Sequence, residues 1–360
     1  MLSAWGVYRQ WGPHAEPAIA PLIAALKDPD QLVRGTAADA LGRIGPQAKA
    51  AVPEITAALT DGRINVFIAS GALQGFGHDA EAAVPGLVER LKSEVARHQT
   101  DKRQGKPPVR YSVPMSPIAS VINVLGSIGP AAKEAMPLLL DLADDEDPVV
   151  RSAVVWAFPA ISPDAAKAIE AVLYGTQDQD VTVQLAALRG LSAIGNRGLA
   201  AVPALTKKLL DKNEQVRRFA ALALGAVGSK EAVPALRRAL RDRSSDVRIE
   251  AANALLKFDS ANRGSWEVLK EELQSQRAWP REQAAFSLGE LGLPAEEAVP
   301  LLVKLLKDDF VRVRAAAAEA LGKIGPAAAV ALPDLKLAAR DREQIVKQKA
   351  ILALMNFNRS

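Results

Sequence analysis

Residues 200–228 read AAVPALTKKLLDKNEQVRRFAALALGAVG, a run in which two apolar segments at helical spacing are separated by a short polar turn. In the second segment the apolar residues at i, i+4, i+7, i+8 and i+11 are Val216, Ala220, Ala223, Leu224 and Val227. This spacing gives one apolar stripe along a helix. Gly228 follows, where a helix C-terminus favours a residue that adopts a positive φ. The run therefore predicts a helical hairpin with one buried face.

The same hairpin recurs along the chain. The phrase Ala-Val-Pro, or a near variant, has its proline at Pro21, Pro53, Pro85, Pro137, Pro203, Pro234, Pro300 and Pro333. Two further units keep the register without proline, at Glu170 and Glu267, and most steps are 31 to 33 residues. Because one hairpin cannot bury its apolar face alone, repeated hairpins must stack on their neighbours. The sequence predicts one all-α solenoid, an α-α superhelix of about ten hairpins over residues 1–360, with residues 1–12 as a half-repeat or N-terminal cap.

Composition agrees with helices and removes several kinds of chemistry. Apolar residues are 49% of the 360 and aromatic residues only 4%, which suits closely packed helices. Cysteine is absent, so disulfides, thiolate catalysis and cysteine metal sites are excluded. A formal charge of +4 is too small an excess to predict a nucleic-acid or membrane partner. We expect a soluble, monomeric protein with no signal peptide and no membrane span, in a compartment that the sequence leaves open.

A second repeated feature joins the two helices of each hairpin. An aspartate and an arginine stand six residues apart in the pairs Asp28 and Arg34, Asp145 and Arg151, Asp211 and Arg217, Asp242 and Arg248, Asp308 and Arg314. We expect the aspartate to cap the second helix, and the arginine to donate to this aspartate or to one in the adjacent unit. An active site needs one constellation, so recurrence in most units indicates a structural role.

Proline in the first helix, a turn aspartate and Val-Arg at the start of the second helix together resemble HEAT repeats. The phrase Val-Arg-x-x-Ala-Ala-x-Ala-Leu-Gly-x-Ile-Gly, seen over 33–45 and 313–325, is similar to the bacterial phycobilisome-lyase-type HEAT subfamily. The resemblance covers essentially the whole chain. It implies a solenoid whose second helices line a concave surface, and it says little about function.

The residues offer little for catalysis or for a metal. Histidine occurs at His14, His78 and His98, and none is followed by glutamate, so the His-Glu pairs that HEAT-like iron hydroxylases use are missing. His14 and His78 occupy the same loop two units apart, about 20 Å from each other at ordinary helix spacing. No phosphate-binding Gly-x-x-x-x-Gly-Lys loop occurs. We therefore expect no enzyme activity, no metal and no cofactor.

The outward face of the second helices is the first candidate binding surface. The position two residues before the stripe leucine lies about 200° around the helix from it. Unit by unit this position holds Asp39, Gly71, Asn123, Trp156, Arg189, Leu222, Asn253, Phe286, Glu319 and Leu352. The mixed contents exclude a uniform basic track for a phosphate backbone. The residues predicted to bind a partner are Trp156, Arg189, Leu222, Asn253 and Phe286, because aromatic and arginine side chains are common anchors; packing on neighbouring helices is the alternative.

The second candidate is an insertion at residues 97–116, within the 52-residue step from Pro85 to Pro137. Its three prolines disfavour a helix, so we expect a long loop, either solvated or docking a partner. The residues predicted to dock are Arg97, Lys102, Arg103, Lys106, Arg110 and Tyr111.

Three functions remain open at this point. A scaffold that binds a protein or peptide along the concave face is the leading hypothesis. By similarity to phycobilin lyases, the chain would handle a chromophore, although it shows no group for thioether chemistry. Nucleic-acid binding, as in HEAT-like DNA glycosylases, would need a continuous basic face, and only the insertion supplies basic residues in a cluster.

Overall fold

The computed structural model describes residues 15–105, 116–164, 166–291 and 295–357, and within these ranges the chain forms helices and turns without a strand. The half-repeat predicted at residues 1–12 lies outside them. Contacts between residues divide the chain into two units, residues 1–194 and 195–360. Each unit is a solenoid of five helical hairpins, in agreement with the predicted fold class.

The first unit contains ten α-helices in its described residues. They are α1 (Glu16–Ala25), α2 (Gln31–Ile44), α3 (Val52–Thr60), α4 (Val66–Phe76), α5 (Val84–Arg103), α6 (Pro117–Ile128), α7 (Met136–Asp141), α8 (Pro148–Ile161), α9 (Ala166–Gly175) and α10 (Val181–Ile194).

The second unit repeats the arrangement with ten more. They are α11 (Val202–Lys208), α12 (Glu214–Val227), α13 (Val233–Ala239), α14 (Ser245–Phe258), α15 (Arg263–Glu272), α16 (Ala278–Leu291), α17 (Ala295–Leu305), α18 (Val311–Ile324), α19 (Leu332–Ala338) and α20 (Gln344–Phe357).

Within each unit the even-numbered helices form one layer and the odd-numbered helices the other. Successive even-numbered helices pack against each other, and each odd-numbered helix packs on the even-numbered helix of its own hairpin. The stripe residue of the even-numbered helices lies in the interior between the layers. It is buried at Leu41, Leu73, Leu125, Phe158, Leu191, Leu224, Leu255, Leu288 and Leu321. The periodicity of one hairpin thus predicts where the core lies.

The repeated proline stands at the start of the odd-numbered helices. In α3 and α11, for example, Val-Pro occupies the first two helical positions. There the missing N–H of proline has no helical partner to lose, so the helix suffers no break. A 3-10 segment comes before the proline helix, such as Gly45–Ala51 before α3, which agrees with the predicted helical lead-in. Pro21 and Pro300 differ, since they lie inside α1 and α17.

Two glycines close each Leu-Gly-x-Ile-Gly phrase, and they serve different purposes. The last glycine takes the positive φ that was predicted, as at Gly228 with φ of 75°; Gly292 lies outside the described residues. The earlier one sits where two even-numbered helices touch. A Cβ on Gly225 would lie 2.8 Å from the Ala254 Cβ, and one on Gly42 would lie 2.5 Å from the Ala72 Cα. Only glycine allows the helix backbones to approach this closely.

The Asp–Arg series joins neighbouring hairpins. The Arg217 guanidinium donates two hydrogen bonds to Asp242 of the next turn, with Nε–Oδ2 2.8 Å and Nη2–Oδ1 2.9 Å, while its Nη1 donates to the carbonyl of Asp211. Arg151 binds Asp178, and Arg314 binds Asp341, in the same bidentate way. The predicted bond to an aspartate of the adjacent unit is confirmed for these arginines. Arg248 instead donates to Glu272 of the adjacent unit, and Arg34 to the carbonyl of Arg63.

The capping role predicted for the signature aspartate is wrong. Asp211 Oδ1 accepts the N–H of Asn213 at 2.9 Å, and Asn213 is the residue whose side chain caps α12. The cap therefore stands two residues after the aspartate, because the aspartate is used to shape the turn. The sequence analysis also missed Arg281, which follows Ser275 by six residues and binds Asp308 in the same bidentate geometry. The Nη1 of Arg281 donates to the backbone carbonyl of Ser275, so the residue at this position does not have to be an aspartate.

The insertion begins later than predicted. Residues 97–103 are the last two turns of α5 and form no loop. The prolines of this segment start at Pro107, so nothing before Gly105 interrupts the helix. Ser116 closes the segment, and its hydroxyl oxygen caps α6 by accepting the N–H of Ala119.

One stretch in the described residues, 311–338, has the length and apolarity of a membrane span, and half of its apolar 18-residue window is buried inside the protein. It consists of α18 and α19 with a 3-10 segment between them, and Gly325 turns the chain there with φ of 68°. A helix of 14 residues such as α18 is about 21 Å long, short of the roughly 30 Å hydrocarbon core. Its apolar character is that of a core helix.

Candidate binding surface

The even-numbered helices carry the ten predicted positions on the side away from the odd-numbered layer. Trp156 is 43% exposed and Phe286 is 47% exposed, although both are large apolar side chains. Leu352 is exposed as well, whereas Leu222 and Asn253 are half-buried. We call this face of α2 to α10 and of α12 to α20 the even-helix face. Three hollows of this face each lie within a single unit.

The first hollow lies over α6, α8 and α10 and has a volume of about 640 Å³. It brings together the predicted residues Asn123, Trp156 and Arg189, with Gln74 and Leu185 beside them. The indole of Trp156 lies so close to Gly126 that a Cβ on this glycine would come within 2.4 Å of the ring. The glycine of α6 thus makes room for the ring, which keeps the rest of its surface exposed.

The second hollow lies over α2 and α4 and has a volume of about 1000 Å³. Asp39 and Gly71, two further positions of the predicted series, line it. Its apolar lining includes Leu32, which is 76% exposed, and Ile68. Sequence reasoning missed Leu32 because it considered a single position of each helix; Leu32 lies on the same face as Asp39, seven residues or about two turns before it.

The third hollow, which we call the α14 hollow, lies over α12, α14 and α16 and has a volume of about 530 Å³. Three predicted residues, Leu222, Asn253 and Phe286, line it. Their neighbours Arg218 and Glu250 were not predicted, since each stands one turn before a predicted position on the same helix. A helical wheel extended by one turn would have found both.

The charged side chains of the α14 hollow lie close together and are partly buried. The Arg218 Nε donates to Glu250 Oε1 at 3.3 Å, and the Arg218 Nη1 lies 3.9 Å from Asp246 Oδ2. Burial raises the pKa of the Glu250 carboxyl above its usual value, and the charge of Arg218 only partly opposes this. One arginine therefore serves two carboxylates.

Asn253 is the second unusual group of the α14 hollow. Its Oδ1 is buried and accepts no hydrogen bond in the protein. A buried acceptor without a donor costs about 1–3 kcal/mol. Such a group is uncommon in folded proteins and is a reason to look for a ligand.

The end of the second unit carries a charged cluster on the same face. Glu319 of α18 contacts Lys349 at 2.5 Å and Lys323 at 3.1 Å, and Lys323 also contacts Glu290. The Lys323 ammonium lies 4.7 Å from the centre of the Phe286 ring. The bonds from Lys349 and Lys323 outweigh burial and lower the pKa of Glu319.

The basic residues of the insertion are partly neutralised. Arg97 contacts the buried Glu94 at 2.6 Å, and Lys102 contacts Glu146 at 2.6 Å. Arg103 ends α5, while Lys106, Arg110 and Tyr111 lie outside the described residues. The helical part of this segment therefore offers less free positive charge than its composition indicates.

Metal-binding residues do not cluster in the described parts of the chain. His78 has a structural contact: its Nδ1 lies 2.6 Å from the Ile128 carbonyl oxygen and donates to it, which joins the ends of α4 and α6. His14 lies outside the described residues.

Comparison with protein families finds the HEAT-repeat models over most of the chain. The model described as HEAT repeats matches residues 19–100, 169–257 and 266–355, and a second HEAT-repeat model matches 135–165. The chain belongs to the HEAT-repeat family. The matching models describe HEAT repeats in general, so the narrower resemblance to the phycobilisome-lyase-type subfamily stays a prediction. A search of curated proteins found no match.

Comparison with solved structures finds similar chains. A Kap121p mutant is 15% identical with a TM-score of 0.51, over 95% of this chain and 41% of that one. An engineered protein is 22% identical with a TM-score of 0.45, over 94% of this chain and 98% of that one. Human deoxyhypusine hydroxylase, in complex with glycerol, is 23% identical with a TM-score of 0.32, over 78% and 97%. The likeness to the Kap121p mutant, at 15% identity and a TM-score of 0.51, concerns the fold alone.

Proposed function

We propose that this HEAT-repeat protein is a monomeric, non-enzymatic scaffold that binds polypeptide segments along the even-helix face of each of its two units. The observation that carries the proposal is the exposure of Trp156 and Phe286 in hollows of that face. Aromatic side chains contribute most to binding when they fill or line such pockets. Each lies beside polar groups that fix orientation, namely Arg189 and Asn123 near Trp156, and Asn253 near Phe286.

The charge pattern supports a polypeptide over a nucleic acid. A duplex or single strand needs a row of cations that follows the phosphates. The even-helix face carries Asp39, Glu250 and Glu319 as well as cations, and its lysines at 323 and 349 are paired with carboxylates. Alternating apolar, amide and charged groups fit the side chains of a peptide better.

Selection of peptides tests the proposal directly. A phage-displayed library of random decapeptides panned on the purified full chain should yield binders whose affinity falls at least tenfold in a W156A/R189A/F286A variant. A matched control is Y174A/K207A/L337A, because those three side chains are an aromatic, a cation and an apolar residue exposed on odd-numbered helices. The control should bind as the parent does, and circular dichroism should show the same helicity for all three proteins.

Binders that are lost in the odd-helix control and kept in the even-helix variant would contradict the proposed surface. Failure to select any peptide would contradict the proposed function itself. Light scattering checks the monomer: a mass near twice 38.2 kDa would contradict it.

A further inference from the structure

We propose that the α14 hollow binds the guanidinium group of an arginine side chain in the partner polypeptide. This inference rests on the proposed function and adds the chemistry of one residue of the partner. Three features of the hollow carry it: an unused acceptor, a carboxylate with an incomplete set of partners, and an apolar wall.

The unused acceptor is Asn253 Oδ1. It is buried and takes no hydrogen bond from the protein, and Asn253 lines the hollow. A ligand that brings an N–H donor would remove the penalty of this group, so binding such a ligand gains more than the bond itself. The preferred ligand is therefore a donor.

The carboxylate is Glu250, which stands three residues before Asn253 on α14 and presents its charge to the same hollow. Arg218 reaches only Oε1, at 3.3 Å, and it is shared with Asp246. The lining contains three carboxylates, Asp246, Glu250 and Glu290, and two cations, Arg218 and Lys257; Lys323 contacts Glu290 from outside it. A half-buried carboxylate with one long contact favours a cationic donor over a neutral one.

The apolar wall distinguishes guanidinium from ammonium. Leu222, Ile249 and Phe286 line the hollow beside the polar groups. Arginine has an apolar stem, and its planar head stacks on aromatic rings and donates in several directions at once. A guanidinium can therefore donate to Asn253 Oδ1 and Glu250 together while its stem lies against Phe286. Lysine has a single ammonium, which is strongly hydrated and suits this arrangement less well.

Short peptides that differ in one group test the inference. The probes are acetyl-Leu-Arg-Leu-amide and its twins with lysine or with citrulline, which keeps the shape of arginine and lacks its charge. Ligand-observed NMR titration of the full chain should give a Kd for the arginine peptide at least tenfold lower than for the citrulline peptide, with lysine between them. N253A and E250Q should each raise the Kd of the arginine peptide about tenfold.

Matched controls come from exposed residues elsewhere in the second unit. N196A and E271Q remove an asparagine side chain and a carboxylate outside the hollow and should leave the Kd unchanged. Equal affinity for arginine and citrulline, or full affinity in N253A, would overturn the inference. If library peptides still need Trp156 and Phe286 while the arginine probe fails, the inference is wrong and the proposed function stands. If neither kind of peptide binds, both are wrong.

Discussion

Asn253 shows at the scale of one residue how a binding position conflicts with stability. Its buried Oδ1 has no donor in the protein, and a leucine, which has the same number of side-chain heavy atoms, would bury no polar atom. We expect N253L to raise the free energy of unfolding by about 1 kcal/mol while it weakens peptide binding. Urea unfolding monitored by circular dichroism measures the first effect. The same exchange at the exposed Asn196 should change stability by less than about 0.5 kcal/mol. A clear loss of stability in N253L would mean that the amide already has a structural role.

The carboxyl of Glu250 should make the stability of the protein depend on pH. Burial, the largest cause, raises the pKa of its carboxyl in the folded protein, against the charge of Arg218, while Asp246 adds to the rise and Lys257 opposes it. A raised folded-state pKa gives stability that is present below the unfolded pKa and lost as the pH rises through the folded value. Glutamine does not titrate. As the pH rises from about 4 to about 7, E250Q should therefore gain stability relative to the parent, which loses this contribution. Urea unfolding at both pH values checks the sign. A difference that is constant with pH would contradict the burial of this carboxyl.

At the scale of the helix, the glycine at the contact between two even-numbered helices sets the distance between them. A Cβ on Gly225 would lie 3.0 Å from the Ala254 Cα and 2.8 Å from its Cβ. We expect G225A to destabilise the protein by about 1–3 kcal/mol through overpacking, although alanine favours a helix by about 1 kcal/mol. Gly71 of α4 has open space around it. G71A should therefore stabilise by about 0.5–1 kcal/mol. Thermal unfolding of both variants separates the two effects, and a stabilised G225A would contradict the close approach.

The helices themselves could be predicted because each follows from local chemistry. Apolar residues at helical spacing gave the stripe leucines such as Leu224, and Gly228 marked a helix end. The role of Gly225 could not be predicted, because it depends on Ala254 in another hairpin and on the distance between two helices. The capping role assigned to Asp211 was wrong for a local reason: Asn213 is the N-cap of α12 and accepts the N–H of Gln215, while Asp211 accepts the N–H of Asn213.

The sequence could predict which helix positions are exposed on the candidate binding surface, but not which of their side chains share a hollow. The period of the even-numbered helices correctly separated Phe286, which is exposed, from Leu288, which is buried. It could not show that Arg218, Glu250 and Asn253 share one hollow, because that depends on how α12, α14 and α16 pack. Whether a partner binds there remains a prediction.

At the scale of the whole molecule, stability in a repeat protein is close to a sum of terms between neighbouring hairpins, and the bidentate pairs are one such term. Arginine pairs lower the pKa of four turn aspartates, Asp178, Asp242, Asp308 and Asp341. For Asp178 and Asp341 the hydrogen bond from arginine is the largest cause of the lowered pKa. For Asp242 and Asp308 burial is the largest single cause and raises the pKa, but the hydrogen bonds from arginine and from backbone N–H groups together outweigh it.

A depressed pKa gives stability that is present above the unfolded value near 3.8 and lost as the pH falls through the folded value. We therefore expect D242N to cost about 3–5 kcal/mol near pH 6, because it leaves the nearly buried Arg217 with a weaker partner. Near pH 3 the parent aspartate is itself largely protonated in the unfolded chain, so the difference between parent and D242N should shrink. D61N, at an exposed carboxylate, should cost less than about 1 kcal/mol at either pH. Urea unfolding of the parent, D242N and D61N at both pH values tests this prediction. A loss of stability in D242N that does not change with pH would show that the pairs do not contribute through the charge of the aspartate.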